Sequence, residues 1–255
     1  MDRLVYTAMN GAARTLENQA VISNNMANAN TPGFREQLAI YRAVPIVGDG
    51  TMDTRIGVVS NTPGSNFALG NISTTGRELD VAITGPGWLA VQTEDGSEAY
   101  TRNGGLQIGA DGTLQNYRGN PVLSADNAVI AVPEGASLTF SADGIITAIG
   151  AGDPPNNIVA IGQLKLVNPD EGQLLHGDDG MFRLPAGADG EPAAPLPNDP
   201  QVRITSGAIE GSNVSPIEAM VGMIDNARRF EMQMKVIQDA SSNAQRANEL
   251  LSAGG

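Results

Sequence analysis

Leu79-Asp80-Val81-Ala82-Ile83 and, after Thr84-Gly85-Pro86-Gly87, Trp88-Leu89-Ala90-Val91-Gln92 form the stretch whose reading decides the fold class. Each half is an alternating or continuous apolar run of strand length, too short to be a helix facing a core. The glycines and proline between them supply a turn. Neither Gly85-Pro86-Gly87 nor Asn103-Gly104-Gly105 has the Lys-Ser/Thr ending of a phosphate loop or the glycine spacing of a dinucleotide fingerprint, so both read as turn glycines.

The pattern continues outward from this stretch. Leu164-Lys165-Leu166-Val167 is another short apolar run, and Asp-Gly pairs at Asp95-Gly96, Asp111-Gly112, Asp143-Gly144 and Asp189-Gly190 mark hairpin turns. Many short strands joined by such turns predict a mainly β central domain, a sandwich or an open barrel-like body, over residues 79–205. The five prolines between Pro185 and Pro200 predict a surface loop. Residues 35–78, where Ile56, Val58, Val59, Phe67 and Leu69 are scattered among Gly and Thr, read as an extended connector with a few strands.

Both ends of the chain change period. From Asp2 to Asn30 there is no proline and a single glycine, Gly11, and Leu4, Val5, Ala8, Met9, Ala12, Leu16, Ala20, Val21 and Met26 recur at spacings near three and four. This predicts a helix within residues 1–34. Thr31-Pro32-Gly33 ends it, since proline forces its predecessor into extended geometry and glycine permits the turn. At the other end, within residues 206–255, Ser215-Pro216-Ile217-Glu218 gives a Ser N-cap, Pro at the first helical position and an acid in the first turn. Ile217, Met220, Ile224, Ala227, Met234, Ile237, Ser241, Ala244 and Leu251 then follow near-heptad steps. Seams rich in Ala, Ser, Asn and Met favour close helix approach over filling a large core. The terminal helices are therefore expected to pair with each other in a coiled-coil-like assembly domain, and such a two-helix unit buries too little to stand without neighbours.

Composition excludes several functions. With 28 Asp and Glu against 15 Lys and Arg the net charge is −13, so a phosphate backbone would be repelled and nucleic acid is not an expected partner. No cysteine is present, which leaves neither disulfides nor thiolate metal sites. No run of eighteen apolar residues predicts membrane insertion, and the polar, amphipathic residues 1–30 do not read as a secretory signal. His176, the single histidine, has no nucleophile elbow to serve and reads as an exposed loop residue. The Asp-Gly pairs lack the ligand spacing of a calcium loop. Trp88, the sole tryptophan, sits within an apolar run and reads as core and not as a stacking platform. No catalytic, cofactor-binding or metal residue is assigned, and no cofactor is expected.

One segment is specific. Ile22-Ser23-Asn24-Asn25-Met26-Ala27-Asn28-Ala29-Asn30-Thr31-Pro32-Gly33-Phe34 resembles the N-terminal signature of flagellar rod and hook proteins, with Met26 where Ile or Leu is more usual. Further blocks agree in order: Gly76 to Ile83, Gly87 to Val91, Ala99 to Gly104, and Gly207-Ala208-Ile209-Glu210-Gly211-Ser212-Asn213-Val214 leading into the last helix. By these blocks the chain is identified as a member of the flagellar basal-body rod family. Met1 to Met9 and Ala227 to Gln233 resemble the proximal rod type most, with the distal type as the close rival. The resemblance implies a non-enzymatic structural subunit of the axial rod in the basal body, exported by the flagellar type III apparatus without signal cleavage. It implies proximal and distal rod subunits as partners, a rod that crosses the periplasm, transmits torque and leaves a lumen for export, and terminal helices that order on assembly. Asn24, Asn25, Ala27, Asn28, Asn30, Thr31, Pro32, Gly33 and Phe34, Gly211, Ser212, Asn213 and Val214, and Ile224, Met234 and Ile237 are the assembly and signature residues. A secreted β-rich adhesin would share the middle but has no need of paired terminal helices, and a hydrolase would need a site that the sequence does not offer.

Overall fold

The computed structural model describes residues 2–45, 56–60, 64–150, 152, 154, 157–187 and 193–253. The chain forms two compact units: Met1–Ala29, Glu36–Asn66 and Val214–Gly255 make the first, and Asn30–Arg35 with Phe67–Asn213 make the second.

Among its described residues the second unit is built of β-strands, with one short 3-10 turn at Glu171–Gln173. Its largest sheet is antiparallel, with strands in the order Leu166–Val167, Trp88–Gln92, Glu98–Thr101, Phe182–Arg183 and Leu175–His176. Trp88-Leu89-Ala90-Val91 is apolar at every position because both faces of this sheet are covered. Leu89 and Val91 join a cluster with Val81, Leu106, Leu114 and Ile146, whereas Trp88 and Ala90 join a second cluster with Tyr100, Val167 and Phe182. The Trp88 ring lies 4.7 Å from that of Phe182, a core role. A meander of Ser137–Phe140, Ile145–Ile149 and Val159–Gln163 shows the other pattern, with Leu138, Phe140, Ile146 and Ala148 alternating into the first cluster. Val81–Thr84 pairs with Arg203–Ser206, and Ile72–Thr74 with Ala208–Glu210.

Three of the four expected Asp-Gly turns join neighbouring strands as anticipated. Gly96, Gly112 and Gly144 all take positive φ, the conformation glycine allows most cheaply. Asp189-Gly190 lies outside the described residues. Asp179-Gly180 makes a further hairpin of the same kind, with Gly180 at φ 74° and the Asp179 carboxylate accepting the Met181 N–H at 3.1 Å.

The first unit holds helix α1 (Asp2–Ala27) and helix α2 (Pro216–Ala253), packed on each other. Helix α2 starts as its sequence dictates: the Ser215 hydroxyl accepts the Glu218 N–H at 3.4 Å, Pro216 occupies the first helical position and Glu218 lies in the first turn. Helix α1 ends where Asn28 donates its N–H to the Asn24 carbonyl (3.0 Å) and its side-chain amide to the same oxygen (2.9 Å). Two small strand pairs complete the unit, Tyr41–Pro45 with Ile56–Ser60 and Gln37–Leu38 with Gly64–Ser65. The Tyr41 hydroxyl donates to the Arg14 carbonyl at 3.0 Å, tying the first pair to α1.

Candidate assembly surface

The inward faces of the two helices follow a heptad. On α1 the less exposed positions are Val5, Ala8, Ala12, Thr15, Gln19, Ile22 and Met26; on α2 they are Ala219, Met223, Asn226, Phe230, Gln233, Ile237, Ala240 and Ala244. Steps of three and four alternate along both, the mark of a coiled-coil-like seam. Several seam positions are polar and bonded across the pair. The Asn226 side-chain amide donates to the Thr15 carbonyl (2.8 Å) and to Gln19 Oε1 (2.9 Å), and the Thr15 hydroxyl stands 3.0 Å from Gln233 Oε1. Gly11 leaves room for Gln233, whose amide nitrogen would stand 3.0 Å from a Cβ there.

One position round from each seam runs a stripe of large apolar residues facing outward. Tyr6, Met9 and Leu16 on α1 and Ile217, Met220, Val221 and Ile224 on α2 are all exposed, Leu16 by 56 % and Ile224 by 54 %. Burying such a side chain is worth about 1.5–3 kcal/mol, so seven left in water on one helix pair describe a surface awaiting contact.

The expected assembly residues fall into distinct places. Ile224 and Met234 are exposed, while Ile237 is half-buried in the intrachain seam. The sequence had joined all three in one seam. Asn24 and Ala27 are exposed, and Asn28 closes the helix. Asn25 is buried and clasps Gln37 as a strand partner would, donating to its carbonyl (2.8 Å) and accepting its N–H (2.9 Å). Asn30 is exposed and Pro32 half-buried, and the Thr31 carbonyl accepts the Phe34 N–H at 3.2 Å.

From Gly33 onward the segment is built into the β unit. Gly33, at φ 70°, donates its N–H to the Glu210 carbonyl (2.8 Å), and a Cβ there would meet the Asn103 backbone nitrogen at 2.3 Å. Replacing Gly33 therefore strains the β unit itself, and the Pro32-Gly33 turn does more than stop a helix. Phe34 is buried and its carbonyl accepts the Asn213 N–H at 3.3 Å. Asn213 in turn donates its side-chain amide to the Ala68 carbonyl at 2.9 Å. The Gly211 N–H donates to the Asn71 carbonyl at 2.8 Å, Ser212 is half-buried and Val214 is buried.

Beside this strap lies a feature the sequence reading missed. Glu210, 1 % exposed, accepts Arg35 Nη2 on Oε1 (2.7 Å) and Arg102 Nε on Oε2 (2.7 Å), and its Oε1 also takes the Gly70 N–H at 2.8 Å. Arg102 spends its remaining donors on the carbonyls of Gly85 (2.8 Å), Gly87 (2.6 Å) and Ile83 (3.1 Å). The Gly85-Pro86-Gly87 turn thus presents carbonyl oxygens to a cation, the opposite polarity to a phosphate loop. Burial pulls the Arg102 guanidinium below its ordinary pKa, with Glu210 pulling it back. Arg35 Nε and Nη1 find no acceptor among the described residues.

His176 departs from expectation. It lies in a strand paired with Phe182, half-buried, with its ring edge-on to those of Phe182 (5.0 Å) and Phe34 (6.2 Å). The unanticipated Asp179-Gly180 hairpin turned the expected loop into a strand. Burial lowers the imidazole pKa against the pull of Asp179 and Asp178. A folded pKa below the unfolded one favours the native state while the ring is neutral. That contribution is complete above the unfolded value of about 6.5 and fades as pH falls through it. The chain should be less stable at pH 5 than at pH 7.5, and His176→Gln should flatten that part of the slope; unfolding midpoints at the two pH values measure it. Among the described residues no three His, Cys, Asp or Glu side chains gather as a metal site would need, and no helix is long and apolar enough to cross a membrane.

A helix pair with an apolar stripe left exposed, in a chain that also folds a separate β unit, defines a structural subunit made for assembly. Comparison with known proteins gives its family. Residues 5–35 match the family described as flagella basal body rod protein, residues 82–148 the flagellar hook protein FlgE/F/G D1 domain, and residues 205–250 the flagellar basal body rod FlgEFG protein C-terminal family. The chain is 51 % identical over 252 residues to the flagellar basal-body rod protein FlgF of Salmonella typhimurium, covering 99 % of each chain, and 50 % identical to that of Escherichia coli over the same span. Similarity to the rod protein FlgG of Agrobacterium fabrum is lower, 32 % over 264 residues covering 95 % of this chain and 97 % of the relative. The chain belongs to the flagellar basal-body rod protein family, of the FlgF type. It is a structural rod subunit located in the basal body, not an enzyme, and it assembles with other rod subunits.

Proposed function

We propose that the chain builds the proximal part of the rod, with its two helices forming part of the wall of the axial tube. The observation that carries this is the outward stripe of Tyr6, Met9, Leu16, Ile217, Met220, Val221 and Ile224, apolar surface that a single chain leaves in water. Contacts from this stripe to a different patch on the next subunit are heterologous, and heterologous contacts that do not close into a ring propagate as a helical filament. Residues 1–34 and 206–255 serve assembly in this reading, residues 79–205 form the β body and residues 35–78 are the connector. Asn24 to Phe34 and Gly211 to Val214 hold the chain where helix gives way to strand, while Ile224 and Met234 face neighbouring subunits.

The subunit travels through the flagellar type III export apparatus without signal cleavage, and the finished tube crosses the periplasm, transmits torque and leaves a lumen for later export. Proximal and distal rod proteins are its neighbours. The test is a photo-cross-linking amino acid at Ile224 in purified basal bodies. Adducts to other rod subunits are expected; adducts confined to the chain's own β unit would refute the arrangement.

A further inference from the structure

We infer that the buried amide of Asn226 and the half-buried amide of Gln233 set the register of α2 against α1, and with it the alignment of the two outward stripes. The contacts fix one antiparallel alignment: Gly11 and Thr15 face Gln233, Thr15, Asn18 and Gln19 face Asn226, and Ile22 faces Gly222. Asn226 is only 5 % exposed, and its side chain satisfies donors and acceptor together: Nδ2 to the Thr15 carbonyl and to Gln19 Oε1, Oδ1 from Asn18 Nδ2 at 3.4 Å.

The apolar part of the seam discriminates less sharply between registers. Met223, Phe230 and Ile237 follow one another at heptad spacing, so a shift of one heptad exchanges one large apolar side chain for another. The same shift carries the buried Asn226 away from the Thr15 carbonyl and Gln19 Oε1 and costs it both hydrogen bonds. The amides therefore trade seam stability for a unique alignment, as single polar core residues do in coiled coils. Register is a property of the single chain. Only its use in aligning the stripes for neighbouring subunits rests on the rod reading above.

The absence of cysteine makes the register directly readable. In the native alignment a Cβ at Gly222 stands 3.5 Å from the Ile22 side chain, so Ile22→Cys should form a disulfide with Gly222→Cys in the full-length protein. A Cys at position 229 or 215 lies one heptad away, about 10 Å along the helix, beyond disulfide reach. Arg229→Cys or Ser215→Cys should therefore give no bond with Ile22→Cys in the otherwise unchanged chain. Replacing the three seam amides together (Gln19→Leu, Asn226→Leu and Gln233→Leu) should leave α-helical circular dichroism intact while disulfides from position 22 to 229 or 215 appear alongside the native one. Retention of the native disulfide alone would overturn the proposal. So would loss of every cross-link, because the amides would then be supplying stability and not register. A result in which registers multiply but rod incorporation stays normal would sever the link to assembly while leaving the register claim standing.

Discussion

Ile224→Glu should abolish incorporation into the rod while leaving the free chain folded as before. In the single chain the side chain is 54 % exposed, and a surface substitution of this kind shifts stability by no more than about 0.5 kcal/mol. At a packed interface between helices an unpaired carboxylate costs several kcal/mol, and every 1.4 kcal/mol is a tenfold loss in affinity. A polymer whose subunits meet the same defect at each contact should not form. Ile237→Glu is the informative contrast. Ile237 is half-buried within the intrachain seam, so its charge should loosen the α1–α2 pair in the free chain as well. Thermal unfolding of both free variants, with their recovery in purified basal bodies, separates the two roles. Equal behaviour of the pair would mean that outward stripe and inward seam are not distinct surfaces.

Glu210→Gln should give the largest loss of stability in the β unit. The substitution keeps size and one acceptor but leaves Arg35 and Arg102, both almost fully buried, without a counter-charge. Breaking a buried pair from one side costs about 3–5 kcal/mol, a large part of the roughly 5–15 kcal/mol by which a domain is stable. Trp88, the sole tryptophan, is buried in the core of this unit and reports its unfolding by fluorescence in urea. A midpoint unchanged by the substitution would show that the guanidinium donors are satisfied without the carboxylate.

The β body was legible because its signals are local. Trp88 to Gln92 has strand length and is apolar up to Val91, and the Asp-Gly pairs at Gly96, Gly112, Gly144 and Gly180 take the positive φ that glycine permits. The helix caps at Ser215-Pro216 and the break at Thr31-Pro32-Gly33 were legible for the same reason. The helix seams were read partly out of phase: Val5, Ala8, Ala12, Met26, Ile237 and Ala244 lie on the inward faces as expected, but several of the larger apolar members do not. Apolar periodicity selects the largest apolar residues, and on these helices those lie outside, at Leu16, Met220 and Ile224, while Thr15, Gln19, Asn226 and Gln233 occupy the inside. A side chain facing a neighbouring subunit leaves the same mark in the sequence as one facing its own core. The Arg35–Glu210–Arg102 cluster had no local mark at all, since its members are 67 or more residues apart and meet only through tertiary pairing.

Oxidative footprinting of methionines tests most directly the claim that the outward stripes are buried between subunits. In the free chain Met9 and Met220 are exposed and should oxidise readily, while Met181, buried in the β unit, should resist. In purified basal bodies Met9 and Met220 should become as resistant as Met181. Continued rapid oxidation of Met9 and Met220 in the assembled rod would contradict the account.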